Sequence, residues 1–228
     1  PKRKSASHGE AGYPRAALDF YPTEPWVTEA LCRAVEFDNR GLLWEPACGD
    51  GRMAKVLHTW HPAVVASDIA DHGYGASGID FLRGGGEWLA AKRAGPVAAI
   101  VTNPPFALAR EFIVRAVEIT RPAEGKVAIL QRHEFDAPKT NRPLFRPPFA
   151  AKLILPRRPR WNDSDTASPR FPYAWYLWDW RYQGAPVLRW LDDRAEPQEA
   201  RRGAASSSSA TPRYISATAG NCCPSCMP

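Results

Sequence analysis

The chain has no long hydrophobic run: none approaches the roughly 18 to 20 consecutive apolar residues that a membrane-spanning helix needs. No apolar signal segment follows the charged start Pro1-Lys2-Arg3-Lys4. Both absences lead to the expectation of a soluble cytoplasmic protein without a membrane partner. Cysteine is scarce, five among 228 residues, which argues against a disulfide scaffold in a chain this large. Cys32 and Cys48 fall inside apparent secondary structure, whereas Cys222, Cys223 and Cys226 crowd the last few positions. The Cys223-x-x-Cys226 pair has no second pair to complete a zinc tetrahedron, so no metal is expected. No internal repeat is found.

What is present is positive charge, and it is local. The formal net charge is +6, and residues 132–170 hold nine Lys or Arg against four acids, a balance of +5 in that stretch. Solvated surface is the ordinary explanation of such a segment. Concentrated in one region, however, it also has the form of an electrostatic footprint for phosphates. The chain is long enough for one sizeable domain with tails. Residues 1–17 are polar and basic without periodicity, and residues 194–228 are rich in Ala, Ser, Arg and Pro, with Ser206 to Ser209 in a row. Both are expected to be disordered, leaving residues 18–193 as the domain.

Within it the chain alternates. Thr23 is placed to cap a helix carrying Glu24 and Pro25 in its first turn and Trp26, Val27, Ala30, Leu31, Ala34 and Val35 at helical spacing. Leu42-Leu43-Trp44-Glu45-Pro46-Ala47-Cys48-Gly49-Asp50-Gly51-Arg52 reads as a strand, a glycine turn and a helix start. The glycines let backbone approach a ligand, and the following helix points its positive end at the turn. Ala63-Val64-Val65-Ala66-Ser67-Asp68 is a second strand ending in a carboxylate, where dinucleotide-type folds bind ribose hydroxyls. Gly73-Tyr74-Gly75 and Gly84-Gly85-Gly86 read as loops, and between them Asp80 with Phe81 is suited to reading an adenine amine while stacking its ring. A helix over residues 107–120 and strands over 126–130, 152–155 and 173–178 complete the pattern, which is that of a doubly wound, Rossmann-like α/β sheet.

One strand ends abruptly. Ile100 and Val101 read as buried, and Asn103-Pro104-Pro105-Phe106 stops the ladder because proline has no N–H to donate. An ordinary proline-rich turn would leave the same tetrapeptide. It would also grip an exocyclic amine: Asn103 Oδ1 and the Pro104 carbonyl can accept the two amine hydrogens, Pro105 stiffens the corner, and Phe106 offers a face for a base. Further on, Arg157, Arg158 and Arg160 interleave with Trp161 as a phosphate backbone and an unstacked base would require, with Arg132 and Lys139 in the same basic stretch. Solvated loop arginines give the same pattern.

In this order the motifs resemble the class I S-adenosylmethionine-dependent methyltransferases, specifically the amino methyltransferases of the N6-adenine DNA type, including small phage-encoded members. The resemblance covers about Asp19 to Asp192. It implies a seven-stranded sheet whose final antiparallel strand is inserted near the edge, compatible with Trp175 to Trp178. S-adenosyl-L-methionine is the implied cofactor, contacted by Tyr21, Pro22, Thr23, Glu45, Pro46, Ala47, Cys48, Gly49, Gly51, Asp68, Asp80, Phe81 and Asn103, and DNA is the implied partner. It further implies direct methyl transfer to a flipped-out adenine at Asn103-Pro104-Pro105-Phe106, without a covalent enzyme intermediate. The same motif type occurs in enzymes acting on RNA bases, cytosine N4 and protein glutamine, and a non-catalytic nucleic-acid-binding module is the remaining alternative. No counterpart of the large target-recognition domain that many such enzymes carry is expected in these residues, so sequence reading would fall to residues 132–170.

Overall fold

The computed structural model describes residues 21–91, 95–161 and 171–192. All of them fall in one compact unit, Pro1–Asp193. The expectations for residues 1–17 and 194–228, including the three terminal cysteines, lie outside the described residues.

Seven strands form one mixed sheet: β1 (Leu42–Glu45), β2 (Val64–Ala66), β3 (Val97–Thr102), β4 (Lys126–Arg132), β5 (Phe149–Ile154), β6 (Tyr173–Asp179) and β7 (Val187–Trp190), in the order β2-β1-β3-β4-β6-β5-β7. β1 pairs in parallel with both β2 and β3, and β3 with β4. β6 runs antiparallel between β4 and β5, whereas β5 and β7 are parallel to each other. From β1 the chain winds one way to β2 and the other way to β3 and β4. The carboxyl ends of β1 and β3 therefore flank the switch point, where open α/β sheets hold their ligands.

Helices cover both faces because the central strands are apolar on both. Leu43, Ala99, Val101, Ala128, Leu130 and Trp175 pack beneath α1 (Pro25–Ala34) and α2 (Arg52–Trp60). Trp44, Ile100, Ile129, Tyr176 and Trp178 pack beneath α3 (Gly85–Ala91) and α4 (Ala109–Thr120). The buried indoles keep their N–H groups bonded: Trp44 donates to Ser67 Oγ at 3.0 Å, Trp175 to the Val27 carbonyl at 3.0 Å and Trp178 to the Leu144 carbonyl at 2.7 Å. Each indole so avoids the penalty of an unmade buried bond, about 1–3 kcal/mol.

Four expectations are corrected. Thr23 does not cap α1; Glu24 occupies that position without a side-chain cap, and Pro25 opens the helix, where its missing N–H costs nothing. Gly85 and Gly86 are helical, not loop, and a Cβ on Gly85 would come within 3.0 Å of the Trp44 ring. The antiparallel strand is β6, the sixth rather than the last, and the short exposed β7 follows it at the edge. β5 begins at Phe149, three residues before the expected start.

Candidate active site

The glycine turn is built by what surrounds it. Gly49 and Gly51 take positive φ values of 51° and 79°, which L side chains rarely adopt, and a Cβ on Gly51 would sit 2.3 Å from the Tyr74 ring. The Cys48 N–H donates to the Ser67 carbonyl at 3.0 Å, tying the ends of β1 and β2 together. Asp68, 8% exposed, accepts the Gly49 N–H at 2.9 Å on one oxygen and the Ala70 N–H at 2.9 Å on the other. α2 starts at Arg52, so its N-terminal dipole is directed at this turn. Cys48 is buried, its thiol pushed up to about 12 by burial and by the nearby Glu45 and Asp68 carboxylates, so it stays a neutral thiol.

A cavity of about 380 Å³ opens at the switch point, within the size range of small-molecule sites. The glycine turn lines it through Glu45, Pro46, Ala47, Cys48 and Gly49, and Asp68 and Asp80 line it from the next two segments. Tyr21, Pro22 and Thr23 close one side, with Asn103 and Pro105 beside them. The amide-proline corner and the glycine turn thus face one space. Gly51 lies behind the turn against Tyr74. Acids dominate the wall: Glu45, Asp50, Asp68 and Asp80, against Arg52 and Arg83, with Arg52 bound to Asp50 at 2.9 Å. Glu45 is 2% exposed and its Oε2 has no hydrogen-bond partner. Burial, then the neighbouring Asp68 and Asp50 charges, push its carboxyl well above the usual range. A cation entering the cavity would relieve both effects.

Asn103 carries the clearest geometry. Its Nδ2 donates to the Tyr21 carbonyl at 3.3 Å and to Thr23 Oγ1 at 3.2 Å. Because a carbonyl can only accept, the amide must turn its nitrogen toward Tyr21, which fixes where the oxygen points. That oxygen, Oδ1, is buried and has no partner. The wall of the cavity therefore holds a buried acceptor that lacks a donor.

Next to this corner lies an aromatic group. The Phe106 ring sits 5.3 Å from Tyr21 and 6.1 Å from Tyr173, and Trp161 packs edge-on to Tyr173 at 4.7 Å. The Arg132 guanidinium lies over Phe171 at 4.1 Å and over Phe106 at 5.8 Å. The basic segment docks on the first helix: Arg157 stacks on Trp26 at 4.4 Å, and the Arg160 N–H donates to Glu24 Oε2 at 2.7 Å. Arg157, Arg158 and Arg160 are exposed on this strap. Lys139 is exposed on a separate 3-10 turn, Lys139–Phe145, and does not line the cavity.

Phe81 lines the cavity beside Asp80 with little open area. Its ring is 2% exposed and packs against Trp44 at 5.1 Å and Phe112 at 4.8 Å, so it belongs to the core that floors the cavity. Asp80 uses Oδ1 on the Leu82 and Arg83 N–H groups, at 2.9 and 3.2 Å, which makes it a turn former as well as a wall residue. More open apolar surface for a ring comes from two residues outside the expected set. Ile69, directly after Asp68, is 61% exposed and lines the cavity, as does Leu108 at 41%. The available signal was an isoleucine directly after the acid that ends the second strand, and it is left open among the described residues.

No protein-family model matches the sequence, and no curated protein matches it. Solved structures do match its fold. A type I restriction-modification methyltransferase subunit from Streptococcus thermophilus superposes with a TM-score of 0.56 at 13% identity, covering 74% of this chain and 47% of that one. A candidate RNA methyltransferase from Pyrococcus horikoshii gives 0.54 at 14% identity, covering 74% and 91%. A candidate haemolysin from Lactococcus lactis gives 0.51 at 14%, covering 74% and 92%. The chain therefore has the class I methyltransferase fold, and it spans about half the length of the Streptococcus subunit. The range of names attached to one architecture shows why fold alone does not identify a substrate.

Proposed function

We propose that this chain is an S-adenosylmethionine-dependent methyltransferase that methylates the N6 amine of adenine in DNA, with residues 18–193 as the catalytic unit. The observation that carries the reading is the buried, unpartnered Oδ1 of Asn103 beside an acid-walled cavity at a glycine turn. The residues present fit the cofactor. Glu45, buried with an orphaned oxygen, suits a positively charged ammonium. Asp68 has lone pairs left for ribose hydroxyls, Asp80 Oδ2 suits an adenine amine, and Ile69 and Leu108 supply apolar contact. When bound, the sulfonium supplies an electrophilic methyl group.

The chain's own residues then act on the target. Asn103 Oδ1 and the Pro104 carbonyl accept the two hydrogens of the amine, which draws its lone pair out of conjugation with the ring. The target amine is itself the nucleophile: as its N–C bond forms, the S–C bond would break to leave a neutral thioether, and the amine gives one proton to solvent, so no enzyme nucleophile is needed, in keeping with Cys48 as a neutral buried thiol. Duplex pairing hides N6, so a duplex substrate must flip the base, at a cost of a few kcal/mol. Phe106, Tyr21 and Trp161, backed by the buried Tyr173, form the aromatic surface for that base, and Arg132 with the Arg157–Arg160 strap supplies charge for the phosphates.

The test is nucleoside mass spectrometry of DNA from cells expressing the chain or Asn103→Ala, beside labelled methyl incorporation into DNA, RNA and protein. N6-methyladenine is expected with the native chain. Asn103→Ala should lower it by a factor of about 10² or more, as loss of one oriented polar partner does, while cofactor affinity stays within about threefold. Label in RNA, cytosine N4 or glutamine instead would move the substrate to that amine. Bound cofactor without any transfer would leave a nucleic-acid-binding module.

A further inference from the structure

We infer that Thr23 is a positioning residue for Asn103: its hydroxyl, together with the Tyr21 carbonyl, locks the side-chain amide with the acceptor turned to the target. The inference rests on the role of Asn103 proposed above and adds the residue that sets its polarity.

An asparagine amide has nearly the same shape in both orientations and opposite chemistry at its two ends. Unrestrained, it could present NH2 as readily as oxygen to an incoming group, and only the oxygen can receive an amine hydrogen. The partners on the other side decide between them. Tyr21 offers a carbonyl at 3.3 Å, which a flipped amide would meet oxygen to oxygen. Thr23 Oγ1, at 3.2 Å, takes the second amide hydrogen. Thr23 is 5% exposed, so water has little access to replace it.

Thr23 is also released from the task its position suggests. α1 begins with Pro25, and Glu24, not Thr23, is the N-cap residue, with no side-chain cap bond. The hydroxyl is therefore spent on a residue 80 positions away, and not on its own helix. Because both amide hydrogens are occupied, what remains for a substrate is an acceptor alone. Such a site takes an amine and turns away a keto oxygen.

The experiment uses the full chain, isotopically labelled, with the Asn103 side-chain amide assigned by its loss in Asn103→Ala. In the native protein both Asn103 Nδ2 hydrogens should exchange with solvent at least tenfold more slowly than those of exposed Asn39. Exchange as fast as at Asn39 would overturn the inference without any variant. In Thr23→Val one of the two hydrogens should lose protection and the other, held by Tyr21, should keep it, while Thr23→Ser restores both. Turnover at saturating cofactor should fall at least tenfold in Thr23→Val and return to within about threefold in Thr23→Ser. Unchanged resonances in Thr23→Val, or no rescue by serine, would overturn it. The exchange measurement needs no substrate. A native chain with protected hydrogens but no methyl transfer would count against the enzyme reading and leave the lock standing.

Discussion

Asp68 Oδ2 accepts the Gly49 backbone N–H at 2.9 Å, so the acid at the end of β2 braces the turn at the end of β1. A hydrogen bond to a charged acceptor in a buried place contributes about 1.5–3 kcal/mol. Asp68→Ala should therefore loosen the turn and remove a ligand contact together. Calorimetric titration with the cofactor should show at least tenfold weaker binding, and the melting temperature should fall. Unchanged affinity would take Asp68 out of the cofactor site.

Glu45 gives a pH signature. Its folded carboxyl titrates well above the usual range, chiefly through burial. Over the window between the unfolded value of about 4.3 and the raised folded value, the native state holds a proton that the unfolded state has lost. The stability of the unliganded protein is thus fully present below the unfolded value and declines as pH rises through the folded one. Glu45→Gln removes this dependence, so urea unfolding of variant and native chain should agree in acid and diverge in the variant's favour as pH rises. Cofactor affinity should fall in the same variant. Parallel curves at all pH values would show that Glu45 does not hold the proton.

Two glycines separate backbone strain from crowding. Gly51 and Gly73 both have left-handed φ, 79° and 77°, but a Cβ on Gly73 meets nothing within 4 Å, whereas one on Gly51 strikes the Tyr74 ring. Gly73→Ala should cost about 1–2 kcal/mol for the conformation alone. Gly51→Ala should cost more and also weaken cofactor binding. Equal losses in thermal unfolding would show that Tyr74 moves aside freely.

The basic strap is tested by salt. Each phosphate contact contributes roughly 0.9 to the slope of log affinity against log salt for duplex DNA. Replacing Arg157, Arg158 and Arg160 by Gln should flatten that slope and weaken binding to different sequences about equally. Because Arg157 also stacks on Trp26, Arg158→Gln with Arg160→Gln serves as the version that leaves this contact intact. An unchanged slope would move the nucleic-acid surface away from the strap.

The sheet was legible where composition and punctuation agree. Leu42 to Glu45 ends at Pro46 and glycines, and the strand before Asn103 ends at two prolines, so both corners could be read from local chemistry. What could not be read depends on distant partners. Thr23 has the sequence of a helix cap, and its hydroxyl is taken by Asn103, 80 positions away at the end of β3. Gly85 and Gly86 look like loop residues, yet both are helical, Gly85 set against Trp44 and Gly86 against Arg115 and Ile119. Phe81 lines the cavity as its sequence suggests, but Trp44 and Phe112 pack on its ring and leave it 2% exposed. β7 is four residues long and exposed throughout, so it carries no alternation of apolar and polar positions to reveal it.

That last strand leaves the protein with an open border. The flank of β7 away from β5 has no neighbouring strand among the described residues, and Val187, Leu188 and Trp190 stand in solvent along it, interrupted by one charge at Arg189. A polypeptide laid there would find donors and acceptors already spaced for pairing. Leu188→Lys would place a second charge on this margin, four strands away from Asn103.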